Sequence, residues 1–217
     1  DFILNWAKSL NLEVHQDEKY NLLIRKPATP GYEKQKPIVI QAHIDMVCEK
    51  RPEVEHDFRK DPIKLVLEGD ILSTGNRTTL GGDDGIGVAM AMAVLEDKTL
   101  KHPPVDVILT TAEEEDMSGA LSVDKSWFNT NRLINIDHIV DTEIIAGSCG
   151  GIGVDLKFPV EYTKKTDNYK GYKIKISGLR GGHSGEDIHK GRANANVLLA
   201  NLLNLLREKV NFLISNL

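Results

Sequence analysis

Apolar residues recur along the chain in two rhythms. Phe2, Ile3, Trp6 and Leu10 are spaced for one face of a helix, so the chain opens on an amphipathic helical turn pattern. Asn21 to Arg25 then reads as a strand, followed by a Pro- and Gly-rich loop from Pro27 to Pro37. The short run Ile38-Val39-Ile40 leads directly into Gln41-Ala42-His43-Ile44-Asp45. Val105 to Thr111 leads into Glu113-Glu114-Glu115-Asp116, and Leu133 to Ile136 leads into Asp137. Three runs rich in β-branched residues therefore each end in acid or imidazole. Between them, Ile86 to Leu95 is Ala-, Met- and Val-rich without polar interruption, the pattern of a helix laid against a sheet. Strands alternating with helices predict an α/β fold, a mostly parallel sheet flanked by helices, whose functional groups collect beyond the carboxyl ends of the strands. The three polar strand ends then face one crevice.

The texture changes near Gly147-Ser148-Cys149-Gly150-Gly151. Val154 to Val160 alternates like a strand, Glu161 to Lys170 is a polar link, and Tyr172-Lys173-Ile174-Lys175-Ile176 has a period of two. A Gly-rich loop, Gly178 to Gly185, precedes a helical tract strongest from Ala195 to Leu206. A second, smaller α+β unit is expected over 150–217, after a first unit over 1–149. The chain opens and closes inside helical patterns without a start signal, targeting segment or cap, so an excerpt of a longer polypeptide is expected.

Composition narrows the class. With 217 residues, 41% of them hydrophobic, the chain has material for one or two ordinary cores. The 27 Lys and Arg against 32 Asp and Glu give a net charge of −5, and the basic residues are scattered, which argues against nucleic acid as a partner. The apolar runs are too short or too interrupted to span a bilayer. Cys48 and Cys149 offer no disulfide framework and fit a reducing compartment.

Each polar strand end has a plain reading and a chemical one. His43 and Asp45, two apart, share a face, and a metal-binding histidine generally donates its second ring N–H to a carboxylate or carbonyl. Such a pair also arises often by chance. Gly81-Gly82-Asp83-Asp84-Gly85-Ile86-Gly87 has the glycines of a phosphate cradle, but adjacent carboxylates repel phosphate and suit a cation; Asp83 or Asp84 as a helix N-cap is the alternative. Glu113 to Asp116 has the composition of a solvated acidic loop, yet adjacent carboxylates at a buried strand end need a cation or proton between them. Asp137 adds a hard oxygen ligand, or is a surface residue. Together, one histidine and several carboxylates without cysteine form a nitrogen and oxygen ligand set that fits Zn²⁺, with Mn²⁺ or Co²⁺ as alternatives. Two metals sharing a carboxylate would make a water-activating hydrolase.

These motifs resemble those of the aminoacyl-histidine dipeptidases, also called Xaa-His dipeptidases or peptidase D, within the wider di-zinc dipeptidase, aminoacylase and carboxypeptidase superfamily. The resemblance is carried by Gln41 to Lys50, Thr79 to Ala89, Ala112-Glu113-Glu114 with Met117 and Gly119-Ala120, and Gly181-Gly182-His183-Ser184-Gly185 through Gly191 to Asn196. It implies a zinc-exopeptidase-like catalytic domain with an inserted lid domain, the lid cut short at the C-terminus here. It implies two zinc ions bridged by Asp83, with His43 and Asp137 on one and Glu114 on the other. Glu113 becomes the general base, Asp45 orients His43, and His183 on the lid holds the substrate or its tetrahedral oxyanion. The substrate class implied is a short unblocked dipeptide, the location the cytoplasm, and a homodimer through the lid is an implied partner state.

The chain departs from the family at Gly82 and Asp84, where members usually carry Ala and Asn, and at His138, which follows Asp137 in place of a small or acidic residue. The family's remaining zinc ligand is a histidine near the C-terminus of the full protein, expected beyond Leu217. With four of five ligands, this stretch alone is expected to bind metal weakly and turn over little. Two other functions fit the same motifs: hydrolysis of N-acyl amino acids or other small amides, and a non-catalytic metal-binding or dimerisation module.

Overall fold

The computed structural model describes residues 1–148, 150, 152–164, 168–183, 185 and 187–216. The chain divides into two compact units, Asp1–Ser148 and Cys149–Leu217.

The first unit is built on five strands: β1 (Glu13–Gln16), β2 (Leu22–Lys26), β3 (Ile38–His43), β6 (Val105–Thr110) and β7 (Leu133–Asn135), in the spatial order β1-β2-β6-β3-β7. A separate hairpin pairs β4 (Val66–Glu68) with β5 (Ile71–Ser73). Helix α1 (Phe2–Ser9) opens the unit, α2 (Gly82–Glu96) connects the hairpin to β6, and α3 (Ser118–Ser122) with a 3-10 turn at Lys125–Trp127 connects β6 to β7. The runs expected to be strands at 21–25, 38–40, 105–111 and 133–136 all pair into this sheet. Strand β3 is parallel to both β6 and β7, as the alternation of strands and helices implied, while β1 and β2 add an antiparallel edge, so the sheet is mixed.

All six residues of β6 are buried, because the strand is central and covered on both faces. Its pleat sends Val105, Val107 and Leu109 into one cluster with Ala7, Leu22, Ile24, Ala42, Ala91 and Leu95. Ile108 goes to the opposite cluster with Leu23 and Val39, against which Val123, Trp127 and Phe128 pack. Helix α2 meets the sheet through Gly87, Ala91 and Leu95, spaced four apart on one face. The uniformly apolar Ile86–Leu95 run is therefore only half covered: Ile86 and Met90 remain 64% and 56% exposed, since a helix on a single sheet has one covered face and small residues suffice there.

Parallel pairing puts the carboxyl ends of β3, β6 and β7 at one edge. The register matches His43 with Thr110 and ends the β3–β7 ladder at Gln41 and Asn135, so the loops that follow all emerge side by side.

The second unit carries a 3-10 turn at Ile188–Lys190 and α4 (Ala195–Arg207), which covers the expected helical tract. Asn194 caps α4, its side chain accepting hydrogen bonds from the backbone of Asn196 and Val197 at 2.9 and 3.3 Å. The strands expected at 154–160 and 172–176 are not formed among the described residues. Val154, Leu156, Phe158 and Val160 lie 70–75% exposed, and alternation without a neighbouring strand or a covered face does not stabilise a ladder. Cys149, Gly151, Ser184 and Leu217, named in the sequence reading, lie outside the described residues. Among the described residues no helix is long and apolar enough to cross a membrane.

Leu109 is fully buried at the centre of the larger cluster. Leu109→Ala is expected to lower the unfolding free energy by about 2–5 kcal/mol, the usual cost of a buried Leu-to-Ala cavity, read from urea unfolding of the purified protein.

Candidate metal centre

His43 ends β3 with its side chain 1% exposed. Three carboxylates approach its Nε2: Asp83 Oδ1 at 3.0 Å, Glu113 Oε2 at 3.9 Å and Asp137 Oδ2 at 3.9 Å. On the other side of the ring, Nδ1 lies 3.0 Å from the backbone carbonyl of Asp45. With Nδ1 donating to that carbonyl, Nε2 is the ring atom left to face the carboxylates: it donates to Asp83 when the ring is protonated and would offer its lone pair to a cation that displaced that proton.

The local backbone explains why these groups meet. Asp83 and Asp84 stand at the entrance of α2, with φ/ψ outside the helical region and a cis peptide between them, so the regular helix begins after Asp84. Gly81 before them has φ +74°, and a Cβ there would lie 2.9 Å from Met46 Sδ; only glycine fits this turn. After β6, Glu113 and Glu114 are held by an unforeseen contact. The Glu114 N–H donates to Asp45 Oδ2 at 3.0 Å, so the carboxylate of Asp45 ties the β3 loop to the β6 loop. Its Oδ1 is buried, makes no hydrogen bond, and lies 3.5 Å from His43 Nδ1. Asp45 meets the His43 ring through its backbone carbonyl, at 3.0 Å, while its carboxylate Oδ2 accepts from the Glu114 N–H.

Crowding of like charge marks the cluster. Burial lowers the affinity of His43 for its proton, but the hydrogen bond to Asp83 and the charges of Asp137, Glu113 and Asp45 outweigh it, holding the imidazole above its ordinary pKa. Glu113 is pushed up by burial, and further by Asp137, Glu114 and Asp83, against the pull of His43. Asp84 is pushed up to about 6, chiefly by burial and also by Asp137, although the backbone N–H groups of His43 and Gly87 favour its anion.

Two groups of three side chains bring ligand atoms within 4.8 Å of one another: His43 with Asp83 and Glu114, and His43 with Asp84 and Asp137. One imidazole nitrogen among hard oxygen donors suits a divalent cation, which would also relieve the carboxylate repulsion. Six of the seven residues singled out from the sequence, His43, Asp45, Asp83, Glu113, Glu114 and Asp137, thus gather at one edge of the first unit. His183 belongs to the second unit. Asp84, noted in the sequence as one of two adjacent carboxylates suited to a cation, as a capping candidate and as a departure, but not among the assigned ligands, is 2% exposed and part of the cluster. The signal for it was Gly87, three residues on: a Cβ there would collide with the Asp84 carboxylate. His138 is exposed.

No family model matches the chain. It is 42% identical over 203 residues to the cytosol non-specific dipeptidase of Escherichia coli (strain K12), an alignment covering 94% of this chain and 42% of that protein. Among solved structures it resembles the aminoacylhistidine dipeptidase from Vibrio alginolyticus, with a TM-score of 0.60 and 33% identity, covering 93% of this chain and 41% of the other. A tripeptidase from Staphylococcus aureus shares the fold at 20% identity, with a TM-score of 0.53 and 64% of this chain and 37% of that one covered. Over the stretch it spans, the chain is similar to these dipeptidases in sequence and fold, and it sets a histidine and carboxylate cluster at the edge of its α/β sheet. It covers about two fifths of the length of the relatives it matches.

Around His183, Asp187 organises the loop. Its Oδ2 accepts from the His183 backbone N–H at 3.1 Å and from Arg192 at 2.7 Å, and its Oδ1 pairs with Lys190. The hydrogen bond from Lys190, the N–H of His183 and the charge of Arg192 hold the Asp187 carboxyl down to about 2. A depressed carboxylate contributes fully above its unfolded value of about 4 and loses that contribution as pH falls through its folded value. Protection of the His183 amide against hydrogen exchange is therefore expected to hold at pH 5, to fall as pH is lowered toward about 2, and to lose this dependence in Asp187→Asn.

Proposed function

We propose that the protein containing this chain is a metal-dependent dipeptidase that hydrolyses the peptide bond of short unblocked dipeptides, including Xaa-His. The observation that carries this is the position of Glu113. It stands 3.9 Å from His43 Nε2, inside the carboxylate cluster, yet is a member of neither three-ligand group, so its carboxylate is available to move a proton. Its raised pKa brings it closer to the operating range of a general base.

His43, Asp83, Glu114 and Asp137 are the residues that would hold zinc, with Mn²⁺ or Co²⁺ as substitutes. Bound there, such ions polarise a carbonyl and acidify a water. Glu113 would accept a proton from the attacking water and return it to the leaving amine, while Asp45 keeps the His43 ring and Glu114 in place through its carbonyl and carboxylate. His183, from the second unit, is assigned to the substrate or its developing oxyanion. The Escherichia coli relative is named a cytosolic, non-specific dipeptidase, which supports a cytoplasmic enzyme with a broad dipeptide range. The second unit is the proposed contact of a homodimer.

In the full-length protein that carries this chain, Glu113→Gln is expected to retain its metal while losing roughly 10²–10⁴-fold in turnover of a dipeptide panel, the usual contribution of a general base. Unchanged turnover removes Glu113 from the mechanism. Cleavage of N-acyl amino acids in preference to unblocked dipeptides would replace the substrate class.

A further inference from the structure

Where β7 stops, β3 continues. The last β3–β7 pair is Gln41 with Asn135, and the Ile136 N–H still reaches the Gln41 carbonyl at 3.1 Å. On the other side of β3, the Ile44 N–H donates to the Thr110 carbonyl at 2.8 Å. The N–H of His43 points toward the side that β7 has vacated, in a residue 1% exposed. A buried backbone donor at the end of a ladder needs an acceptor from elsewhere.

Asp84 supplies it. Its Oδ2 lies 3.2 Å from the His43 nitrogen, across 41 positions of sequence. The same carboxylate lies against Gly87, three residues ahead, and a Cβ there would collide with Asp84 Oδ1, so the space beside Gly87 is filled by the carboxylate. One carboxylate therefore closes the open end of β3 while standing packed on the first turn of the regular part of α2. Asp83 precedes it in the chain, so the bond that locates His43 also locates the carboxylate facing its Nε2.

We infer that Asp84 is a positioning residue of the metal centre: its carboxylate pins the His43 backbone to the first turn of α2 and so fixes the separation of His43 and Asp83. This rests on the cluster being a metal site. Its role is that of an oxygen acceptor for the His43 backbone N–H, seated against Gly87. An amide oxygen does the same, whereas a metal ligand requires the charged carboxylate.

The test uses the full-length protein and compares it with Asp84→Asn and Asp84→Ala. Exchange of the His43 amide proton is followed by NMR, and Co²⁺ is titrated with its visible absorption as the spectroscopic signature. Asp84→Asn is expected to keep that amide protected, to leave the Co²⁺ bands in place and to hold affinity close to the parent. Asp84→Ala is expected to exchange the His43 amide at least about tenfold faster and to weaken Co²⁺ binding by roughly 10–100-fold, the usual cost of losing a group that orients a ligand. Asp84→Asn that loses affinity as far as Asp84→Ala, or that shifts the Co²⁺ bands, makes Asp84 a ligand and overturns the inference. So does Asp84→Ala with unchanged protection. If Asp84→Ala does not fold, loss of His43 protection in Asp84→Asn overturns it and retention upholds it. A parent protein that binds no Co²⁺ sinks the metal reading instead, and the His43 amide exchange rate still decides what Asp84 does.

Discussion

Repulsion among carboxylates is the constraint around which the first unit is arranged. Asp83, Glu113 and Asp137 all approach one buried imidazole nitrogen, with Asp84 and Glu114 beside them, and like charges this close raise one another's cost of ionisation. The strain is visible in the direction of the shifts: His43 is held toward its charged form, and Glu113 and Asp84 toward their neutral ones. A divalent cation at this position converts the same crowding into coordination, which is why the cluster reads as a centre for metal rather than as an acidic surface.

Holding the cluster together falls to groups that do not themselves meet a ligand. The parallel pairing of β3 with β6 and β7 brings three loops to one edge, but strand ends alone fix side chains only loosely. Two carboxylates tighten them. Asp45 joins the loop after β3 to the Glu114 backbone, and Asp84 joins the end of β3 to the start of α2. Both are side chain to backbone hydrogen bonds across long stretches of sequence, and the one from Asp84 is buried, where a charge-assisted bond is strong and its loss costly. Glycines at 81 and 87 admit the turn and the carboxylate that these bonds require.

Much of this was legible beforehand. The strand runs, the apolar helix 86–95 and the polar strand ends each carry a local signature, because period and turn chemistry are written residue by residue. Six of the seven proposed site residues lie close together for the same reason: each sits at a strand end or a Gly-rich helix entrance. The errors share a cause too. The alternating stretches 154–160 and 172–176 have the period of strands but find no ladder partner among the described residues, and Ile86 and Met90 have the character of core but lie on the uncovered face of α2. A pattern states what a segment can do with a partner and is silent on whether the partner is there.

The sequence by itself determined which residues can bind a cation and at which strand ends they stand, since donor chemistry and strand periodicity are local properties. Only the tertiary structure decided how they are held: that the Asp45 carbonyl takes the His43 ring hydrogen bond while its carboxylate reaches the Glu114 N–H, that the sheet is mixed, and that Asp84 is buried. Those outcomes depend on which backbone N–H groups a sheet leaves unpaired when its strands differ in length, and that is settled by pairing between segments far apart in the chain.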